Sequence, residues 1–207
     1  MFVLNPSDIC AFNLTHAKQF VDYWSKLYDH GEKRAREDVV IDYFAELNLE
    51  SPLTEDNIRH LLRWKDRRRF TDPVLTGKSK DLPNPEVAEV LARRGVINEF
   101  RAGHIDESTM RNSILEVFAS GIVFHVFLLH IAKPHMYPIA DQHVYRAFSA
   151  HRGRVLSESW EDYCVYRHYF EEVAAAAGIG SSLNDIRDLK RVDDALMTFG
   201  QFLGQYA

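Results

Sequence analysis

Apolar residues recur at three- and four-residue spacing along nearly the whole chain, and no run alternates with the period of a strand. Phe20, Tyr23, Trp24 and Leu27 predict a first helix over about 15–28, closed by Gly31. Val40, Tyr43, Phe44 and Leu47 predict a second, approached through the charged run 32–38. Thr54 suits the N-cap of a third, with Ile58, Leu61 and Leu62 inward. Asn84-Pro85-Glu86 is a strong start for the next: a capping side chain, proline at the first helical position, then an acid. Val87, Val90 and Leu91 continue it, and Gly95 weakens it before Ile97 and Phe100. Gly103 and Asp106 separate it from a helix holding Met110, Ile114, Val117 and Phe118.

The stretch from Gly121 to Ala132 differs from all of these, being apolar on nearly every side. It reads as a helix buried all round and the most buried element of the fold. It is too short to span a bilayer, which takes roughly 20 apolar residues. Lys133-Pro134 should break it, and Pro138 then holds the chain extended until Asp141 begins another helix. Val144, Ala147 and Phe148 give that helix an inner face, with Gln142, His143 and Arg146 elsewhere on it. A carboxylate, an imidazole and a guanidinium are thus expected at the mouth of a buried helical hairpin.

Beyond it, Ser157 suits the cap of a helix carrying Trp160, Tyr163, Cys164, Phe170 and Val173, ended by Gly178-Ile-Gly180. Ser182 and Asp185 make a capping box, and Leu189, Val192, Leu196, Phe199 and Leu203 mark the last helix. The expected class is all-α: one compact multi-helix domain over 1–207, or two lobes (1–83 plus 150–207, and 84–149) around a helix-hairpin-helix-like core.

Composition narrows the function classes. A hydrophobic content of 46% with 27% charged residues is that of a soluble globular protein. The N-terminal residues lack the basic region and apolar core of a signal peptide. Cys10 and Cys164 are far apart and fit free thiols, so a cytoplasmic protein is expected. Two cysteines also exclude a four-cysteine iron–sulfur cluster. His125, His130 and His135 sit five apart and turn to different helix faces, so no metal and no cofactor is expected. No phosphate-binding glycine loop or nucleophile elbow is present.

The net charge of -5 counts against a dedicated nucleic-acid binder, although a local basic patch can supply the attraction. The densest such patch is Arg63-Trp64-Lys65-Asp66-Arg67-Arg68-Arg69-Phe70, followed by a long loop with Lys78 and Lys80. Aromatics among basic residues suit unpaired bases. A second, smaller basic turn holds Arg152 and Arg154. The plain alternative for both is a solvated charged face.

Ile139-Ala-Asp141-Gln-His143-Val144-Tyr-Arg146, following a glycine turn and a buried helix, resembles the core of the helix-hairpin-helix DNA glycosylases. The likeness covers 119–148, with Gly121 at the second hairpin glycine and Ala119 in place of the first. It puts Asp141 at the catalytic-aspartate position and Val123 where bifunctional members keep a nucleophilic lysine. The resemblance implies monofunctional cleavage of an N-glycosidic bond, or recognition of damaged DNA, without strand nicking. Asp141 would be catalytic; His143, Arg146, Trp64, Lys65, Arg67, Arg68, Arg69, Arg152 and Arg154 would contact substrate or DNA. The Tyr137-Pro-Ile-x-Asp-Gln-His-Val wording, with Trp64-Lys65, is also similar to a set of uncharacterised bacterial helical proteins, which bears on fold alone. The alternative function is a non-catalytic helical protein that binds a protein partner or a small ligand. In that case Asp141 only caps its helix.

Overall fold

Side chains fix six helix starts by accepting hydrogen bonds from the free amides of the first turn: Asp42, Thr54, Asn84, Asp106, Asp141 and Ser159. In the computed structural model, residues 14–28, 41–71, 83–118 and 121–206 are described. Among them the protein is all-helical, with ten α-helices and no strand. In order these are α1 (Ala17–Trp24), α2 (Tyr43–Leu47), α3 (Glu55–Lys65), α4 (Pro85–Ala92) and α5 (Arg94–Ala102). Then come α6 (Glu107–Ile114), α7 (Ile122–Ala132), α8 (Gln142–Arg152), α9 (Trp160–Ala176) and α10 (Ile186–Tyr206). Residues 119 and 120 of the expected glycine turn, Cys10, Gly31, the charged run 32–38, and Lys78 and Lys80 lie outside the described residues.

The helices gather into two units, residues 31–133 and residues 1–30 with 134–207. The boundary between Lys133 and Pro134 falls inside the stretch that carries the glycosylase resemblance, so α7 and α8 belong to different units.

In the unit of residues 31–133, α7 is the core. Seven consecutive residues from Val126 to Ala132 are buried, and Phe127 and Leu128 are both 0% exposed. No other helix has so large a buried share, as expected of a helix without a polar face. A buried helix leaves carbonyls that need donors at its C-terminal end. Arg101 of α5 supplies one to Ile131 at 3.0 Å, and its other nitrogen reaches the carbonyls of Leu47 (2.9 Å) and Asn48 (2.5 Å) at the end of α2. The α4–α5 break falls at Arg93, two residues before the glycine expected to weaken the helix.

In the other unit, α10 runs along α8 and α1, with α9 packed beside them. Glycine makes the closest of these contacts possible: a Cβ on Gly200 would overlap the carbonyl of His143. Two expected inward residues of α1 face out instead, Tyr23 at 60% and Leu27 at 53% exposure. The face turned to α10 instead carries the buried Ala17 and Val21, with Phe20 and Trp24 meeting Phe199 at 5.5 and 5.2 Å. The cap of α9 is Ser159 rather than Ser157; Ser157 bonds the Asp162 carboxylate from outside the helix. The capping box of Ser182 and Asp185 forms as expected, around a short 3-10 turn ahead of α10. No helix among the described residues is long and apolar enough to cross a membrane.

Candidate functional site

Asp141 follows an extended segment and is itself extended (φ -162°), which puts its side chain over the open end of α8. Its Oδ1 accepts from the amides of His143 at 2.7 Å and Val144 at 3.1 Å. The carboxylate is therefore fixed in orientation and favoured by the positive end of the helix. It is half-buried. His143 and Arg146, one turn apart, also come together: Arg146 Nη1 donates to His143 Nδ1 at 3.2 Å and to the Gly200 carbonyl at 2.9 Å. The second of these bonds turns the guanidinium toward α10.

A second group of polar side chains stands in the same unit, on α10. Lys190, Asp193 and Asp194 are 7%, 7% and 3% exposed. The Lys190 ammonium donates to Asp193 Oδ2 at 2.8 Å and to Asp194, and lies 4.8 Å from the centre of the Tyr28 ring. Tyr28 is pushed above the usual phenol pKa mainly by burial, with Asp193, Asp194 and Asp141 adding to the rise and Lys190 opposing it. Asp141 therefore acts on the same phenol as the lysine–aspartate group. The hydroxyls of Tyr145 and Tyr166 are buried without a hydrogen-bond partner. Burial again raises both phenols first, and Asp141 contributes to each.

The sequence reading passed over Lys190, Asp193, Asp194, Tyr28 and Tyr166. One signal was available: a lysine followed at i+3 and i+4 by two aspartates, set between the apolar positions Leu189, Val192 and Leu196. Charges placed that close to an inward stripe either pair with each other or lie at a site.

Arg152 and Arg154 follow at the end of α8 and just beyond it. Arg152 pairs with Glu172 and lies 5.4 Å from the Tyr169 ring centre; Arg154 Nη2 reaches Asp162 at 2.5 Å. Nearby, His151 stacks on Phe199 at 5.0 Å and is hydrogen-bonded to the Tyr169 hydroxyl. Burial, with the charge of Arg152, pushes its imidazole down to about 4.

The main basic segment, 63–70, belongs to the unit of residues 31–133. Trp64 is half-buried in that unit, 4.6 Å from Tyr43 and stacked at 6.3 Å on Phe127; Tyr43 in turn bonds the buried His130. One side of its ring thus lies against the α7 core. Lys65 Nζ lies 5.9 Å from the Phe127 ring centre. Arg69 makes a bidentate pair with Glu86 (2.6 and 2.7 Å) and covers the Phe124 ring at 4.2 Å. Its guanidinium is held above the usual pKa first by the Glu86 hydrogen bonds. Asn84 ties the segment to α4 through the carbonyls of Arg69 (2.8 Å) and Thr71 (3.1 Å). Arg67 and Arg68 are exposed.

Among the described residues, no group of three or more His, Cys, Asp and Glu side chains is arranged to hold a metal ion. The candidate site is an oriented aspartate in the same all-helical unit as the buried Tyr145 and Tyr166 and the Lys190–Asp193–Asp194 group. No protein-family model, curated protein or solved structure matches the chain.

Proposed function

We propose that the protein is a divergent, monofunctional DNA glycosylase-like protein in which Asp141 is the catalytic carboxylate. The observation that supports this reading is the fixed Asp141, with Oδ1 held by two amides at the start of α8 and the side chain half-buried. When a base leaves with its bonding electrons, positive charge develops on the deoxyribose. A carboxylate held in place beforehand stabilises that charge without reorganising during the reaction. A water then adds to the sugar, and its proton passes to solvent, to the carboxylate or to the departing base. The target nucleotide has to leave the duplex to meet such a group. With Val123 at the position that aligns with the nucleophilic lysine, no Schiff base and no strand nicking follow.

The test is incubation with duplexes carrying deaminated, alkylated or oxidised bases, followed by alkali to cut at abasic sites. Breaks that need alkali, and that vanish in Asp141→Asn, are the expected result. A wild-type protein that releases no base from any of these duplexes overturns the reading.

A second reading, a non-catalytic helical protein that binds a protein partner or a small ligand, draws on the basic residues. Arg69, Arg146, Arg152 and Arg154 all bond within the protein, and the net charge is -5. Titrating DNA binding against salt separates the two. Each phosphate contact adds close to one unit of slope in log K against log salt, and a non-DNA binder shows no such slope because it shows no binding.

A further inference from the structure

We propose that α9 carries an electron-transfer path that ends on Tyr169 and His151, where loss of an electron is coupled to movement of a proton. The path stands on the packing of α8 and α9 and is independent of the glycosylase reading.

Trp160, Tyr163, Tyr166 and Tyr169 recur every three residues and so form one ridge along α9. Successive ring centroids are 5.3, 6.4 and 6.4 Å apart. The three tyrosines are 0%, 0% and 2% exposed, whereas the indole at the head of the row is only half-buried. An oxidant in solvent therefore meets Trp160 before any of them. Indole and phenol rings give up an electron far more readily than phenylalanine, so each ring of the row can pass one on.

The partners of the hydroxyls decide where the oxidation rests. A phenol that loses an electron becomes a strong acid, and it settles only where a base takes its proton. The Tyr163 hydroxyl donates to the Pro138 carbonyl at 3.2 Å, which accepts a hydrogen bond but is too weak a base to take the proton. The Tyr166 hydroxyl has no hydrogen-bond partner in the protein, nor has that of Tyr145, whose ring meets Tyr166 at 5.5 Å. Tyr169 differs, because its hydroxyl is hydrogen-bonded to Nδ1 of His151. Burial, then the charge of Arg152, holds that imidazole near 4, so at neutral pH it is uncharged and able to act as a base. The Arg152 guanidinium lies 5.4 Å from the Tyr169 ring centre and penalises positive charge left on the ring. The electron therefore leaves together with the proton. Glu172, paired with Arg152, offsets the charge that the imidazolium adds.

The oxidant is a diffusible one-electron acceptor such as the carbonate radical anion. It takes an electron from Trp160, which is refilled in steps from Tyr163, Tyr166 and finally Tyr169. At the end the carbonate radical has become carbonate, and the Tyr169 O–H bond has broken to leave a neutral phenoxyl radical. The proton is then on His151 Nδ1.

The experiment is laser oxidation of the whole protein by photogenerated ruthenium(III) tris-bipyridine, followed by transient absorption and electron paramagnetic resonance. Tyr23, 60% exposed, is replaced by phenylalanine in all samples to remove direct oxidation at the surface. A tryptophan radical that decays into a long-lived tyrosyl radical, more slowly in heavy water, is the expected result. Tyr169→Phe and His151→Phe should each abolish the long-lived signal. So should Tyr166→Phe, which leaves the Tyr169–His151 pair untouched and breaks the row. Melting temperatures show that the variants are folded. No long-lived tyrosyl signal in the starting protein overturns the proposal, and an equal rate in heavy water overturns the proton step without any variant. A signal that survives Tyr169→Phe or His151→Phe overturns the end point, and one that survives Tyr166→Phe overturns the path.

Discussion

His143 and Gly200 stand so close that a Cβ on Gly200 would lie 3.0 Å from the His143 Cα and overlap its carbonyl. The turn of α8 that Asp141 caps is therefore pressed onto α10 at a position only glycine can occupy. One turn further along, Arg146 lies over Gly204 and donates back to the Gly200 carbonyl.

The two glycines should respond differently to alanine. At Gly200 the obstacle is backbone, so Gly200→Ala forces α8 and α10 apart and should destabilise the protein by about 1–3 kcal/mol. At Gly204 the obstacle is the tip of the Arg146 side chain, which can swing away. Alanine also gains up to about 1 kcal/mol of helix propensity over glycine. Gly204→Ala should therefore melt within a degree or two of wild type. Thermal melts of the pair check this.

Lys190 should be among the least replaceable residues. It is 7% exposed and bonded to two buried carboxylates, so Lys190→Met leaves like charges uncompensated in the interior. Removing one partner of a buried ion group costs about 3–5 kcal/mol. Denaturant unfolding of this variant should show that loss, and Lys190→Arg should recover only part of it because the guanidinium is larger.

His151 predicts a pH dependence. Its folded pKa of about 4 lies below the ordinary value near 6.5, so the unfolded chain binds the extra proton between those two values. Stability is then complete above about pH 6.5 and falls as the pH drops toward 4. The upper limit of that loss is about 3 kcal/mol. His125, lowered by burial in the other unit, adds to the same slope. His151→Phe should flatten stability against pH across that window while keeping the stacking with Phe199.

The basic segment calls for separating Arg67 and Arg68 from Arg69. Arg69→Ala removes the bidentate pair with Glu86 and the cover over Phe124, and should cost about 1 kcal/mol of stability. Arg67→Glu with Arg68→Glu changes two exposed side chains and should cost less stability than Arg69→Ala. If the segment touches phosphate, that double variant weakens DNA binding and flattens its salt dependence. Unchanged binding assigns these charges to solvation.

The helices were legible because most rest on local chemistry. Thr54, Asn84, Asp106 and Asp141 cap as their residue types suggest, and α7 is buried because no face of it is polar. What the sequence hid depends on contacts between distant residues. Trp64 reads as a platform among arginines, and its half-buried ring also meets Tyr43 and stacks on Phe127. Tyr23 and Leu27 fit the period of α1, but the inward face is the one that carries Ala17, Phe20, Val21 and Trp24, two of which meet Phe199 of α10. Lys190, Asp193 and Asp194 look like a solvated face until their burial is known. For the candidate site, the position of Asp141 was readable and its tyrosine and lysine surroundings were not.

The central claim is that the charge of Asp141, beyond its capping role, carries the function. Asp141→Asn keeps the shape and a capping oxygen for the His143 and Val144 amides while removing the charge. Asp141→Ala removes both and should cost about 1 kcal/mol of stability. The most direct measurement is base release by Asp141→Asn from a damaged duplex that the wild type processes, with melting temperature and DNA binding followed in parallel. Base release lost while melting and binding stay at the wild-type level is the predicted result. An Asp141→Asn variant that releases base at the wild-type rate would contradict it and leave Asp141 as a helix cap.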